Sequence, residues 1–512
     1  MTDPGDMVSP VPATEPASSA PKSSRTVKVL ALSLGSSLTM LASIAFAMIA
    51  SRYLSKHDYA TIRQTFLSYD FASPLLMLGL PNAVYYFLPR AGKDGRGTVI
   101  DNIALLTVGA ILFSLFFLLG GDQLLAVRFN NPDLHKTLPW LTVYPLFMMP
   151  IAGMAAVLVI AERVRTLTIY NTLTSISLTL VNIVAVLATR SYEVPVLVRI
   201  AAPGLMLPLA LYLMFKAVPG TWRAPQLSSM GTMVRYSVPL GLATLLGTLT
   251  MQLHSIIVAS LCTPEDFAVY ANGAIELPFI GIVTGSITSV VFAEMATECA
   301  RGNKAAALAL FRKAAVKSAC ILFPVMIFFL VAAQPFIIVM YSQAYRASVV
   351  PFVLYLFVLP VRIVVYGAAL MSLGMTRDIL FRSVFDLIIN AVVCYLLVSH
   401  FGYAAAAASL SITLYLWSTP FNLVRIGHGF AVPWHAVLPW RDLSRIAVLC
   451  ILASPLAIAG VYVRPDLPAL VRLALPTVLY WPAVAYILYR TGYYPLPKRC
   501  ERFIPSAIRC RH

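Results

Sequence analysis

Among the ionisable residues within long apolar runs of the sequence, five are the main candidates for a specific role. They are Arg63, Asp70, His254, Glu276 and Arg362. Placing a charged side chain at the centre of a bilayer costs roughly 2.5–3.5 kcal/mol on insertion scales, so such residues mark substrate or ion pathways or pair with one another. An arginine can bind a phosphate through two parallel hydrogen bonds, and a carboxylate can bind a coupling ion.

Arg63 and Asp70 are seven residues apart, which is two helical turns, so both side chains lie on one face of a helix. One interpretation is a local charge network that holds this helix in place. The other is that Arg63 binds a substrate phosphate while Asp70 binds a coupling ion. Glu276 is a second candidate for ion coupling, or it caps a helix break before Pro278.

Arg362 lies near the middle of its apolar run, too deep to reach the membrane surface easily. It either binds a pyrophosphate group or pairs with a carboxylate such as Asp386. His254 either contacts substrate or makes a satisfied hydrogen bond inside the helix bundle. Arg199 and Arg472 lie near the ends of their runs, so we expect both to extend to the membrane interface.

The composition excludes a soluble domain. Of 512 residues, 59% are hydrophobic and only 12% are charged, whereas soluble domains carry about 25% charged residues. The seven cysteines include no CxxC pair, so neither a disulfide framework nor a metal site is predicted. No catalytic constellation, cofactor motif or GxxxxGK[ST] phosphate loop is present, which argues against an enzyme and against ATP hydrolysis by this chain.

Apolar runs of about twenty residues predict an all-α polytopic membrane protein with about fourteen transmembrane helices. The predicted spans are 27–50, 60–89, 98–119, 138–161, 166–188, 195–215, 237–260, 267–295, 318–340, 350–373, 383–400, 403–424, 444–463 and 469–489.

A short internal repeat groups these spans. The tripeptide Asp58-Tyr59-Ala60 follows the first span, and Asp266-Phe267-Ala268 follows the seventh, at an offset of 208 residues. Because six spans separate the copies, both cross the membrane in the same direction, which predicts two pseudo-symmetric six-helix lobes. The predicted organisation is a disordered cytoplasmic tail (1–26), an N-lobe (27–217), a cytoplasmic linker (218–236), a C-lobe (237–424), two further helices (444–489) and a basic cytoplasmic tail (490–512).

The formal charge of +17 follows largely from topology. With the N-terminus in the cytoplasm, 27 Lys and Arg residues fall on the cytoplasmic side and seven on the opposite side. This asymmetry predicts that both termini are cytoplasmic and removes the need for a nucleic-acid partner.

The sequence reads RYLSKHDYA over Arg52–Ala60 and GLPNAVYYFLPR over Gly79–Arg90. These segments resemble the first two helices of polysaccharide flippases, the Wzx-type O-antigen and exopolysaccharide translocases of the multidrug/oligosaccharidyl-lipid/polysaccharide (MOP) superfamily. The arrangement of six, six and two helices is also the plan of that family.

The resemblance implies a protein of the bacterial cytoplasmic (inner) membrane that moves undecaprenyl-pyrophosphate-linked oligosaccharide repeat units for surface polysaccharide biosynthesis, by alternating access. It implies a central cavity lined by predicted helices 1, 2, 7 and 8, and a polysaccharide polymerase and chain-length regulator as possible partners. Two alternatives stay open: a drug or cation antiporter of the same fold and, less favoured, a membrane glycan polymerase or ligase.

Overall fold

The computed structural model describes residues 22–493, and within that range it contains α-helices and no strand. The first ten helices are α1 (Lys22–Tyr53), α2 (Lys56–Met77), α3 (Leu80–Phe87), α4 (Gly95–Phe116), α5 (Asp122–Arg128), α6 (Leu134–Leu141), α7 (Tyr144–Met148), α8 (Met154–Ile160), α9 (Val164–Thr189) and α10 (Glu193–Ala217). The others are α11 (Leu227–Leu261), α12 (Pro264–Gly273), α13 (Pro278–Ala300), α14 (Lys304–Tyr341), α15 (Val349–Leu356), α16 (Leu359–Arg362), α17 (Tyr366–Ser372), α18 (Thr376–Phe401), α19 (Ala406–Thr413), α20 (Thr419–Phe430), α21 (Trp440–Tyr462) and α22 (Ala469–Arg490).

Each predicted span falls on one helix or on a run of shorter helices. Over the described residues, nine helical segments are long and apolar enough to cross a membrane, and two shorter apolar helices, Ser37–Tyr53 and Leu245–Leu261, accompany them. The prediction of an all-α polytopic membrane protein is confirmed. Below, the N-lobe denotes α1–α10 and the C-lobe α11–α20. The face where α1 begins is the terminal face, and the face where α1 ends is the distal face.

Two predicted boundaries are corrected. α1 begins at Lys22, so the last residues of the predicted disordered tail are helical, and α11 begins at Leu227, inside the predicted linker. Both helices extend past their apolar runs through polar residues that a water-facing end tolerates. Residues 1–21 and 494–512, which hold most of the two predicted tails, lie outside the described residues.

The repeat offset of 208 residues holds at the distal turns. α1 and α11 end 208 residues apart, and α2 and α12 begin 208 residues apart. The Ser55 hydroxyl accepts a hydrogen bond from the Asp58 amide at 3.0 Å, and the Thr263 hydroxyl accepts one from the Asp266 amide at 3.2 Å. Each N-cap satisfies an amide that the helix itself leaves unpaired. The two turns are therefore structurally equivalent.

The long span after the first distal turn is broken near the terminal face. α2 ends three residues after Pro74, Leu78 and Gly79 adopt positive φ angles of 40° and 76°, and α3 follows. This turn packs directly on Gly241 of α11, where an added Cβ atom would lie 2.3 Å from the Leu78 carbonyl carbon. Only glycine permits this backbone approach between the two lobes.

Gly241→Ala should therefore destabilise the protein by about 1–3 kcal/mol, because backbone atoms must move to admit the new methyl group. The matched control is Gly247→Ala on the same helix, where no atom lies within 4 Å of the added Cβ. Removing a helical glycine there should be neutral or stabilise by up to about 1 kcal/mol. Melting temperatures of the purified proteins test the contrast, and equal values for the two variants would contradict it.

The connection between the lobes is tied to the N-lobe at the terminal face. Arg223 donates to both carboxylate oxygens of Asp101 on α4, at 3.0 and 2.7 Å, and also contacts Asp94 at 3.1 Å. The Gln226 amide donates to the same Asp101 carboxylate at 2.9 Å. Asp101 is fully buried, so its charge depends on these donors.

Arg223→Met should lower the free energy of unfolding by about 2–4 kcal/mol, because it leaves the buried Asp101 carboxylate without its cation. Arg301→Met is the control, since Arg301 is 70% exposed in its pair with Glu298 and such a pair contributes less than about 1 kcal/mol. Thermal unfolding in detergent measures both. A loss in the control as large as in Arg223→Met would contradict the assignment.

Candidate functional site

The two lobes meet in a polar seal at the distal face. The Tyr59 hydroxyl of α2 donates to the Asn272 amide oxygen of α12 at 2.7 Å, and both side chains are buried. Arg52 donates to the carbonyl oxygens of Val339 and Met340 at the end of α14. These contacts join two N-lobe side chains to a side chain and backbone carbonyls of the C-lobe, so the distal side of the space between the lobes is closed.

Below this seal, Arg63 and Asp70 of α2 are exposed although they lie within a membrane-spanning segment. Arg63 lies one turn below Tyr59 and within electrostatic reach of Tyr341 and Tyr345 of the C-lobe. α2 packs against α12 and α11, so its exposed charged face looks into the space between the lobes. We call this space the cleft. As predicted from their spacing, Arg63 and Asp70 share this face.

Arg199 of α10 also belongs to this group of charges. Its guanidinium stacks on the Phe66 ring at 3.9 Å, and it acts electrostatically on Asp70 and Tyr144. The side chain therefore points toward α2, and the prediction that Arg199 extends to the membrane interface is wrong. Two aromatic rings in edge-to-face contact, Tyr69 and Tyr144 with centroids 4.8 Å apart, support this wall of the cleft.

On the C-lobe side, Arg362 and Glu276 form an ion pair, with Nη1 and Oε1 2.8 Å apart. Arg362 ends the short helix α16, and Glu276 lies in the break between α12 and α13. The two side chains are 26% and 35% exposed, so a ligand can still reach each of them. Glu276 does not cap α13, whose N-cap residue Leu277 makes no side-chain cap bond.

Asp386, the expected alternative partner of Arg362, has other contacts. It accepts a hydrogen bond from Ser418 at 2.5 Å and lies 3.5 Å from Arg382 on its own helix. Pairing of Arg362 with Asp386 is therefore wrong. Arg472, by contrast, lies near a helix end as predicted and donates to the Val461 carbonyl at 3.0 Å.

His254 lies inside the C-lobe rather than in the cleft. It is 7% exposed, its ring packs edge-on against Tyr270 at 5.9 Å, and its Nδ1 lies 3.4 Å from the Ser255 hydroxyl. Among the described residues its Nε2 has no hydrogen-bond partner, so the expected satisfied hydrogen bond is found on one ring nitrogen only. The structure thus groups Arg63, Asp70 and Arg199 on the N-lobe side and pairs Arg362 with Glu276 in the C-lobe. His254 lies apart from both groups, buried in the C-lobe.

A cavity of about 860 Å³ opens beside this charged group, on the N-lobe side. Tyr69, the neighbour of Asp70, forms part of its wall, and Gly281 of α13 reaches it from the C-lobe. Hydroxyl and amide groups line it together with five methionines; the polar residues are Thr39, Thr168, Asn171, Thr172, Thr174 and Ser175. The cavity can therefore form hydrogen bonds with a polyhydroxylated ligand and also pack against its apolar faces.

The length and apolarity of the helices define a multi-pass membrane protein, and the described helices form two lobes with charged side chains between them. The sequence of residues 49–350 matches the family model described as polysaccharide biosynthesis protein, which covers more than half of the chain. The chain belongs to this family.

Comparison with solved structures shows the same fold. The structure is similar to that of the lipid II flippase MurJ in an inward closed conformation, with a TM-score of 0.67 and 12% identity over 91% of this chain and 99% of that one. It is also similar to an inward-facing multidrug resistance MATE family transporter of the MOP superfamily, with a TM-score of 0.56 and 14% identity over 80% and 96%.

A MOP superfamily transporter from Pyrococcus furiosus is similar as well, with a TM-score of 0.52 and 14% identity over 79% of this chain and 94% of that one. No curated protein matches the sequence. The family model confirms the expected link to polysaccharide biosynthesis, and the solved structures confirm the expected fold.

Proposed function

We propose that this protein is a flippase that carries undecaprenyl-pyrophosphate-linked oligosaccharide repeat units across the bacterial cytoplasmic membrane for surface polysaccharide biosynthesis. The observation that carries the proposal is the presence of three arginines within membrane-spanning segments, Arg63 and Arg199 on the N-lobe side and Arg362 in the C-lobe. Three cations against the two carboxylates Asp70 and Glu276 leave a net positive site, which suits a pyrophosphate anion.

The pairing of Arg362 with Glu276 suggests how an empty cleft stays stable. Without substrate, Glu276 neutralises Arg362 at 2.8 Å. An arriving phosphate can compete for the same guanidinium, since arginine binds phosphates and carboxylates with the same fork of donors. Binding of a coupling ion, such as a proton, to Glu276 or Asp70 would free the arginines and link ion movement to substrate binding.

The oligosaccharide would occupy the adjoining cavity. Sugars offer hydroxyl groups and an apolar ring face, and the cavity provides threonine, serine and asparagine side chains beside methionines. The polyprenyl chain would stay in the lipid, where α21 and α22 provide apolar surface; exposed examples are Leu452, Leu470 and Val478. Such a substrate needs no catalytic group, and we propose that the protein acts as a transporter and not as an enzyme.

The charge asymmetry of the loops supports an orientation with the terminal face in the cytoplasm. The distal seal then closes the cleft toward the periplasm, which suits a conformation that accepts substrate from the cytoplasmic side. A polysaccharide polymerase and a chain-length regulator acting on the periplasmic side would use the product.

Deletion of the gene tests the function in cells. The proposal predicts loss of surface polysaccharide, with lipid-linked repeat units retained in the inner leaflet. Expression of the intact protein should restore the surface polysaccharide. Glycosyltransferase genes next to the gene of this protein would support the same function. Normal surface glycan combined with sensitivity to drugs would contradict the proposal and favour an antiporter of the same fold.

A further inference from the structure

A three-residue bridge at the distal face connects the two lobes through one histidine. His57, in the first turn of α2, lies with Nδ1 3.1 Å from the Glu265 carboxylate of α12 in the C-lobe. Its Nε2 lies 3.0 Å from the Asp133 carboxylate, which precedes α6 in the N-lobe. The imidazole is 31% exposed, so protons from the distal solution can reach it.

The internal repeat gives this bridge a special position. His57 and Glu265 are 208 residues apart, which is the offset between the two repeats, and each is the second residue of its helix. Two equivalent residues that contact each other across a pseudo-two-fold axis must lie close to that axis. The bridge is therefore central to the seal, where any separation of the lobes at the distal face must break it.

The hydrogen-bond acceptors around His57 match one protonation form of its imidazole. An ionised carboxylate only accepts hydrogen bonds, and a neutral imidazole has one N–H group to donate. Two carboxylates at hydrogen-bonding distance from the two ring nitrogens are both satisfied only when both nitrogens carry protons. The bridge as built thus fits the imidazolium ion, and loss of its second proton would remove one of the two bonds.

The surrounding groups favour the ionised form of Asp133. Burial alone would raise the pKa of Asp133, but the nearby Tyr192 hydroxyl, Lys136 and His57 outweigh it and lower the pKa below its usual value. Lys136 lies 3.2 Å from Asp133, so one lysine already shares that carboxylate, whereas no cation but His57 is paired with Glu265 among the described residues.

The other charged residues near the bridge make their contacts outside it. On α2 itself, Lys56 lies over the Tyr345 ring at 5.8 Å, and the Asp58 amide bonds to Ser55. On α12, Asp266 belongs to the N-cap turn of Thr263. His57 is therefore the imidazole in this set, and an imidazole is the side chain that ordinarily exchanges a proton near neutral pH.

We propose that His57 is a proton-binding site that latches the distal face: a proton taken up from the distal solution locks the lobes together, and its release lets them separate. The proposal goes beyond the proposed function and rests only on the two-lobe cycle that this function assumes. The geometry gives the sign, because only the protonated imidazole can donate to Asp133 within the N-lobe and to Glu265 across the lobes at once, and its positive charge attracts the Glu265 carboxylate. Acid therefore favours the distally closed state, and rising pH favours distal opening.

Spin labels on the full-length protein test the latch without substrate. Labels at Arg128→Cys in the N-lobe and Arg346→Cys in the C-lobe, both exposed at the distal face, report the separation of the lobes in a background without the native cysteines. We expect the ratio of open to closed distances to rise about 3- to 10-fold from pH 5.5 to pH 8. His57→Gln and Glu265→Gln should each favour opening and remove most of this pH response, and His57→Arg should stay closed throughout.

His135→Gln is the matched control, because His135 is a distal histidine whose acidic neighbour, Asp122 at 4.0 Å, belongs to the same lobe. It should respond to pH as the unmodified protein does. An unmodified protein without a pH response, or an unchanged response in His57→Gln or Glu265→Gln, would overturn the latch. Failure to flip lipid-linked glycans with the pH response intact would instead overturn the proposed function alone.

Discussion

Arg362→Ala should lower the rate of lipid-linked oligosaccharide transport by about 10- to 100-fold at normal protein levels. A hydrogen bond to a charged group is worth about 1.5–3 kcal/mol, and each 1.4 kcal/mol is about a factor of ten. Arg362 is partly exposed to the cleft and is paired with a single carboxylate, so substrate phosphate can reach it. Arg362→Lys keeps the charge but loses the two-pronged geometry. Its transport rate should lie between those of the unmodified protein and Arg362→Ala.

Export of surface polysaccharide in a deletion strain, normalised to protein in the membrane, measures this effect. Arg464→Ala is the control, since this arginine is exposed in the turn between α21 and α22 and away from the cleft. Removing Arg362 also leaves Glu276 unpaired, so the double variant with Glu276→Gln separates stability from transport. Full export by Arg362→Ala would show that this arginine does not contact the substrate.

Asp70→Asn should slow transport by about tenfold or more, because it leaves Arg63 and Arg199 without their nearby carboxylate. Unbalanced arginines would bind pyrophosphate too tightly to release it. Asp466→Asn, in the exposed turn before α22, is the matched control and should leave transport unchanged. Transport rate and melting temperature are measured together for each variant.

The double variant Asp70→Asn with Arg199→Gln distinguishes the two interpretations of this charge cluster. If the cluster only holds the helices in place, removing both charges should restore stability and transport together. If the arginines bind the substrate, stability should return while transport stays low. Recovery of transport in the double variant would therefore contradict a role for Arg199 in binding.

Much of the fold follows from local patterns in the sequence. The length and apolarity of the runs predicted the helices, and the Asp-aromatic-Ala repeat predicted an offset that the caps at Ser55 and Thr263 reproduce. The seven-residue spacing of Arg63 and Asp70 placed both on one helical face, as observed. These predictions succeeded because helix period and membrane thickness act on neighbouring residues.

The partners of the charged residues could not be predicted in the same way. Arg362 and Glu276 are 86 residues apart, and their contact depends on how α16 packs against the break before α13. Arg199 lies near a helix end, where the sequence does not distinguish a side chain that reaches for the interface from one that turns inward. Only the rotation of α10 toward Phe66 decides between them.

His57 was missed for a different reason. It lies in the turn between two apolar runs, and a search for charges inside the runs passes over it. A usable signal was present, however, because the repeat offset that relates Asp58 to Asp266 also relates His57 to Glu265. Comparing the two copies position by position would have matched a histidine with a glutamate at the distal turn.

Reconstitution of the purified protein into liposomes tests the central claim most directly. The liposomes contain an undecaprenyl-pyrophosphate-linked oligosaccharide in both leaflets, and a reagent that cannot cross the bilayer modifies the exposed sugar. In empty liposomes the lipid of the inner leaflet stays protected. The account predicts that the protein makes this protected lipid accessible and that Arg362→Ala does so far more slowly. Protection equal to that of empty liposomes, with correctly folded protein present, would contradict it.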